Sequence, residues 1–295
     1  MTDGRAAGDV GDVGFARDLW VRIETLHAVT YFAPEVHEAA RDAGLKGFWM
    51  GYFGFRAAPM GRVAAGVVDA TFANFAPTMV ERAIPDAWSF ADPADLVDAR
   101  ASAVASALRR AAPGLDHVAV EVNEPLEAIV SAATPLGRPL FAANAAMAPR
   151  SDPVERLWQN CTTLREHRGD GHVAALALAG LSGCQVHLML AAELEQPAEV
   201  FIQHRGWSVD DVADAVTRLE ARGLLVDGRL TEAGSELRAG VERTTDELAA
   251  APVTAALNPD ERRSLLDALT PPAAAVLDAG DIPFPNPMGL PRLSH

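Results

Sequence analysis

Residues Gly223-Leu-Leu-Val-Asp-Gly-Arg-Leu-Thr-Glu-Ala-Gly234 decide the fold. Gly223 closes an amphipathic stretch and suits a helix C-cap, where a left-handed backbone is wanted. Leu225-Val226 and Leu230 then flank Asp227-Gly228, the dipeptide favoured in two-residue hairpins because both central residues need positive φ. Upstream, Ser208 precedes Val209-Asp210-Asp211, an N-cap with acids in the first helical turn, where the helix dipole favours them. Val209, Val212, Val216 and Leu219 step by three, four and three, so one face of that helix is buried. Downstream, a long amphipathic helix is expected from Thr231 to about Ala250. A helix, a tight wing and a long helix make a winged helix-turn-helix.

Further out, the chain repeats itself in outline. Leu19-Trp20 and Thr25-Leu26-His27 recur as Leu157-Trp158 and Thr163-Leu164-Arg165. Ala43-Gly44-Leu45-Lys46-Gly47 recurs as Ala179-Gly180-Leu181-Ser182-Gly183, and the segment from Arg56 to Ala64 matches that from Arg205 to Ala213. Two readings stand: an internal duplication, or two alanine-rich amphipathic patterns that coincide. The duplication predicts a mainly α protein of tandem winged-helix-like units with a small β-wing. Its divisions are a disordered tail at 1–14, a first unit at 15–92, a helical connector at 93–150, a second, winged unit at 151–250, and a helix with a Pro-rich tail at 251–295. Within these, a helix is expected from Pro93 to about Ala112, another from Glu124 to Ala132, a proline-rich hinge at 135–139, and a further start at Asn258-Pro259 with an asparagine cap.

The Arg-Gly-Leu-Leu and Leu-Thr-Glu-Ala-Gly segments resemble the multiple-antibiotic-resistance-regulator type of winged helix, over roughly residues 171–250. Nearly the whole chain also resembles an actinobacterial helix-turn-helix family. That likeness rests on Leu26-His27-Ala-Val-Thr-Tyr-Phe-Ala-Pro34, Leu164-Arg-Glu-His-Arg-Gly-Asp-Gly-His172 and the Pro-Asn-Pro-Met-Gly-Leu-Pro segment at 285–291. It implies a helix-turn-helix fold and brings no established activity with it.

Composition narrows the partners. The 295 residues carry a net charge of −15, which repels phosphate backbones. Between 201 and 250, ten acids face six bases, so DNA binding through the expected recognition helix is disfavoured. No run of about 18 apolar residues is present, so no membrane contact is expected. Cys161 and Cys184 are too few for a disulfide framework, and both points fit a cytoplasmic protein.

The densest polar cluster is Arg165-Glu166-His167-Arg168-Gly169-Asp170-Gly171-His172. It reads either as a charged inter-helix loop, with glycines allowing a sharp turn, or as the wall of a pocket. On the second reading His27, His167, Asp170 and His172 are the candidate acid–base groups. Tyr31, Trp49, Tyr52, Arg56, Arg165, Arg168, Arg205 and Trp207 are the candidate ligand-binding residues, and Arg56 and Arg205 are expected at equivalent helix starts. Arginine and histidine together favour an anion, with binding that changes between about pH 5.5 and 8 as the histidines titrate. A metal or haem is compatible with such groups, but no motif declares one. Phosphate-loop, dinucleotide and serine-hydrolase signatures are absent. The leading expectation is a small-molecule-binding protein, enzymatic or sensory, with a homodimer allowed; the alternative is a ligand-responsive transcriptional regulator.

Overall fold

The computed structural model describes residues 6–286 and 288–293. It begins with α1 (Ala6–Phe32), α2 (Pro34–Asp42), α3 (Gly47–Ala57), a 3-10 turn at Ala58–Met60, and the short α4 (Ala65–Phe72), α5 (Pro77–Glu81) and α6 (Ala87–Phe90). There follow α7 (Pro93–Ala111), α8 (Leu115–Ala132), α9 (Pro139–Ala145) and α10 (Pro153–Leu178). The last part comprises α11 (Gly183–Glu193), α12 (Glu199–Ile202), α13 (Val209–Ala221), β1 (Leu225–Val226), β2 (Arg229–Leu230), α14 (Glu232–Ala256) and α15 (Pro259–Asp278).

Helix α10 is the axis of the molecule. Asp152 caps it by accepting from Val154 N (2.9 Å) and Glu155 N (3.0 Å), and Pro153 takes the first helical position, where its missing N–H costs nothing. It packs against α1, α7, α8, α9 and α14, and its Leu157, Trp158 and Cys161 are fully buried. Polar residues on α10 are buried too, and several pair within the core: Asn160 donates to Asn123 Oδ1 (3.0 Å) and Gln159 Nε2 to Thr163 Oγ1 (3.1 Å).

This settles the Arg165–His172 cluster against the loop reading. The cluster lies inside α10, and Gly169 and Gly171 are helical. Each glycine lowers helix propensity by about 1 kcal/mol. Burial on several sides outweighs that cost, because tertiary packing supplies most helical stability.

A smaller apolar core lies under the wing. Cys184, Leu188 and Met189 of α11 meet Ala215 and Leu219 of α13 and Leu225 of β1. Ser208 caps α13 in a reciprocal capping box with Asp211, and Thr231 caps α14. The strands pair antiparallel as Leu225↔Leu230 and Val226↔Arg229, with Asp227 at φ +48° and Gly228 at φ +73°, as the Asp-Gly turn requires. Helix α14 then leaves the wing and runs into the large core against α10, α8 and α1.

The two matched stretches share one local device. Gly44 (φ +82°) and Gly180 (φ +65°) end their helices in the same way, with Leu45 N bonding Ala40 O and Leu181 N bonding Leu176 O, each at 3.0 Å. Beyond that they diverge. Among the described residues the strands belong to the second stretch alone, and Pro34 splits the first stretch's leading helix into α1 and α2 where α10 stays whole. Arg56 lies in the last turn of α3 and Arg205 in the turn before α13, so the two are not equivalent.

Two further expectations change. Residues 6–14, expected to trail as a tail, belong to α1, with Asp12 paired to Arg262 of α15. The helix expected from Glu124 begins at Leu115, with Pro125 tolerated inside it. Past Gly280, Ile282 and Leu290 are buried in the main core, and Asn286 folds the chain back by accepting from Leu290 N (3.0 Å). Among the described residues no single helix is long and apolar enough to cross a membrane.

Candidate functional site

Because α10 advances about 100° per residue, its polar cluster is sorted onto different faces. Arg165, Arg168 and His172, spaced three and four apart, line one side of a cleft of about 880 Å³. His167 and Asp170, three apart on another face, turn towards α9. There His167 meets the Phe141 ring edge-on at 4.9 Å, and Asp170 accepts from Phe141 N at 2.9 Å.

The opposite walls of the cleft come from two sources. Tyr31, Trp49, Tyr52 and Arg56 project from α1 and α3, while Val186, His187 and Leu190 project from α11, with His204 and Arg205 on the turn before α13. Arg205 lies over the Phe75 ring at 4.5 Å and Arg168 over Trp20 at 4.7 Å, so the cations rest on aromatic faces. The tail segment with Met288, Gly289 and Arg292 borders the same opening. Past Tyr31, Phe48, Tyr52 and Arg56, which line both spaces, lies an inner cavity of about 220 Å³ walled by α1, α2, α3, α7 and α10.

A buried polar network separates the two spaces. His27 shares hydrogen bonds with Thr162 Oγ1 (2.9 Å) and Tyr31 OH (2.8 Å). Arg56 donates to both oxygens of Glu166, each at 2.9 Å, and to Tyr52 OH at 3.1 Å. Arg165 bonds Glu166 (2.8 Å) and Glu24 (3.2 Å). Burial would raise the Glu166 pKa, but Arg165 and Arg56 outweigh it and hold the carboxyl well below its ordinary range.

Burial, then the Arg165 charge, pushes His27 well below an ordinary imidazole, so it stays neutral, and burial raises the Tyr31 phenol. His187 is lowered to about 3 by burial and by Arg205, and His172 is lowered by burial against the opposing pull of Glu242. His27, His172 and His187 therefore stand as neutral imidazoles beside fixed cations.

Of the residues expected at a site, the structure brings Tyr31, Trp49, Tyr52, Arg56, Arg165, Arg168, His172 and Arg205 to the cleft, and His27 to the inner cavity. His167 and Asp170 stand apart. Trp207 does not line the cleft: its Nε1 donates to Asn74 O (3.3 Å) and its ring packs in the wing's core. Among the described residues no three His, Cys, Asp or Glu side chains gather as a metal ligand set.

Sequence reasoning passed over Glu24, Arg100 and Glu166. A signal was present for Glu24 and for Arg100. Glu24, His27 and Tyr31 share a face of α1 by their spacing, and Arg100 interrupts the apolar stripe Leu96, Val97, Ala101, Val104 of α7.

A family model described as a helix-turn-helix family matches residues 16–283. No curated protein and no solved structure matches the chain. A helix-turn-helix family ordinarily binds DNA, which sets this match against the expectation drawn from charge alone.

Proposed function

The chain belongs to this helix-turn-helix family, and from that premise we propose that it is a ligand-responsive regulator of the multiple-antibiotic-resistance-regulator type, sensing a small polar or anionic molecule in the cleft. The observation that carries the proposal is the cleft's double origin: Tyr31, Tyr52 and Arg56 belong to the helical body, and His187, His204 and Arg205 to the winged-helix half. A molecule touching both walls binds one relative placement of the halves better than another, and that difference is what shifts a population.

Charge limits how strongly this module holds DNA rather than forbidding it. On α13 and the wing the exposed cations are Arg218, Arg222 and Arg229. Arg218 is paired with Asp214 (2.8 Å), and Arg222 donates to Gly180 O (2.7 Å) and Ala179 O (2.9 Å). With about three phosphate contacts at most, the salt dependence of log affinity has a slope no steeper than about −3. Retention on duplex DNA at about 50 mM salt, weakened by Arg229→Ala, is the result expected. An absence of retention removes the DNA-reading role.

A catalytic use of the same walls has one observation in its favour, the buried His27–Tyr31 pair beside the inner cavity. The neutral imidazole there orients the Tyr31 hydroxyl through their 2.8 Å hydrogen bond. Loss of turnover in His27→Ala with ligand binding intact would establish it, and intact turnover would dismiss it.

A further inference from the structure

Arg100 is a charged residue on a core position of α7, 3% exposed. Its Nη1 donates to Phe55 O at 2.6 Å, and its guanidinium lies over the Trp158 ring at 4.8 Å. Its Nε and Nη2 are buried with no hydrogen-bond partner among the described residues. Burial is the main influence on its proton and lowers its pKa to about 10, so Arg100 is a cation at neutral pH.

The neighbouring charges are already matched. Arg56 and Arg165 face Glu166 and Glu24, which leaves Arg100 as a surplus positive charge on the wall of the inner cavity. An uncompensated buried charge is costly, and one anion would remove the cost.

The cavity's dimensions restrict that anion. Its volume of about 220 Å³ exceeds the ~150 Å³ that holds a benzene ring by roughly the space of a small polar head. Val36, Leu45, Phe48 and Phe55 supply apolar walls, and Phe48, half-exposed, stands where the cavity meets the outer cleft. The Nε and Nη2 edge of a guanidinium matches a carboxylate's two oxygens side by side.

We propose that the inner cavity is a carboxylate site, taking a molecule with one ring-sized apolar body whose carboxylate pairs with Arg100 through Nε and Nη2. This site is distinct from the outer cleft on which the regulator reading rests, and it goes beyond that reading.

The test uses benzoate and its neutral isostere benzamide on the full chain, by calorimetry and by thermal shift. Benzoate is expected to bind and raise Tm, and benzamide to bind at least tenfold more weakly. Arg100→Met, checked for native circular dichroism, is expected to keep or raise the ligand-free Tm, since it removes the surplus cation, and to weaken benzoate at least tenfold. Equal binding of benzamide, no binding of benzoate, or undiminished benzoate binding in Arg100→Met would each overturn the proposal. Should Arg100→Met not fold, crystals of the wild-type chain with 4-bromobenzoate give the answer: bromine between Phe48 and Phe55 supports the site, and bromine elsewhere, or none, overturns it. DNA retention is scored separately, so benzoate binding by a chain that ignores DNA upholds this site while removing the regulator reading, and the converse also holds.

Discussion

Glu166 holds Arg56 through two parallel hydrogen bonds of 2.9 Å, tying α3 to α10 where the inner cavity meets the cleft. Glu166 is almost wholly buried, and removing one partner of such a pair strands the other's charge. Glu166→Gln is expected to lower unfolding stability by about 3 kcal/mol in urea titration, because it strands Arg56 and Arg165 together. Unchanged stability would mean that water screens the pair.

Asp170 gives a test of opposite sign. Burial raises its carboxyl to about 6, although the bond from Phe141 N and the Arg56 charge oppose the shift. Between the unfolded value near 3.9 and about 6 the folded state holds the extra proton, so stability falls as pH rises through that window and the cost persists above it. Asp170→Asn should therefore be more stable than wild type at pH 8, by about 3 kcal/mol, and nearly indistinguishable at pH 4. Equal stabilities at pH 8 would place the carboxylate in water.

Three of the histidines at the site cannot carry a change in ligand binding between about pH 5.5 and 8. His27, His172 and His187 are all displaced downwards, chiefly by burial. For each, the unfolded chain binds a proton first, so stability falls as pH drops below about 6.5. The His27 Cε1–H resonance should hold constant from pH 8 to 5.5, and ligand affinity should be flat from pH 8 to 7. A His27 midpoint near 6.5 would refute its burial beside Arg165.

The wing can be disturbed without touching the cavities. A Cβ on Gly234 would lie 2.1 Å from Leu224 O, so Gly234→Ala must move the wing against α14. Overpacking of this kind costs about 1–3 kcal/mol. Faster amide exchange in α11 and α13, with the slowest amides of α10 unaffected, is expected. Uniform acceleration would show that the two cores unfold as one.

Local chemistry explains what the sequence disclosed. The Asp227-Gly228 turn, the Ser208, Thr231 and Asn258 caps and the Gly44 and Gly180 helix ends all lie where short-range rules place them. What misled was the polarity of Arg165–His172. A run of eight residues with six charges or histidines and two glycines reads as solvent-exposed, and only the helices around α10 reveal that these groups are buried or half-buried. Arg100 escaped for the converse reason: it is one of five charges in an alanine-rich helix, and its meaning comes from a cavity that long-range packing creates.

The regulator reading is tested most directly by retention of the chain on duplex DNA across a salt series beginning at about 50 mM. Retention there is expected, declining with a slope no steeper than about −3 in log affinity against log salt, since about three arginines on α13 and the wing can reach phosphates. A chain that passes through the duplex column unretained at about 50 mM salt would contradict it.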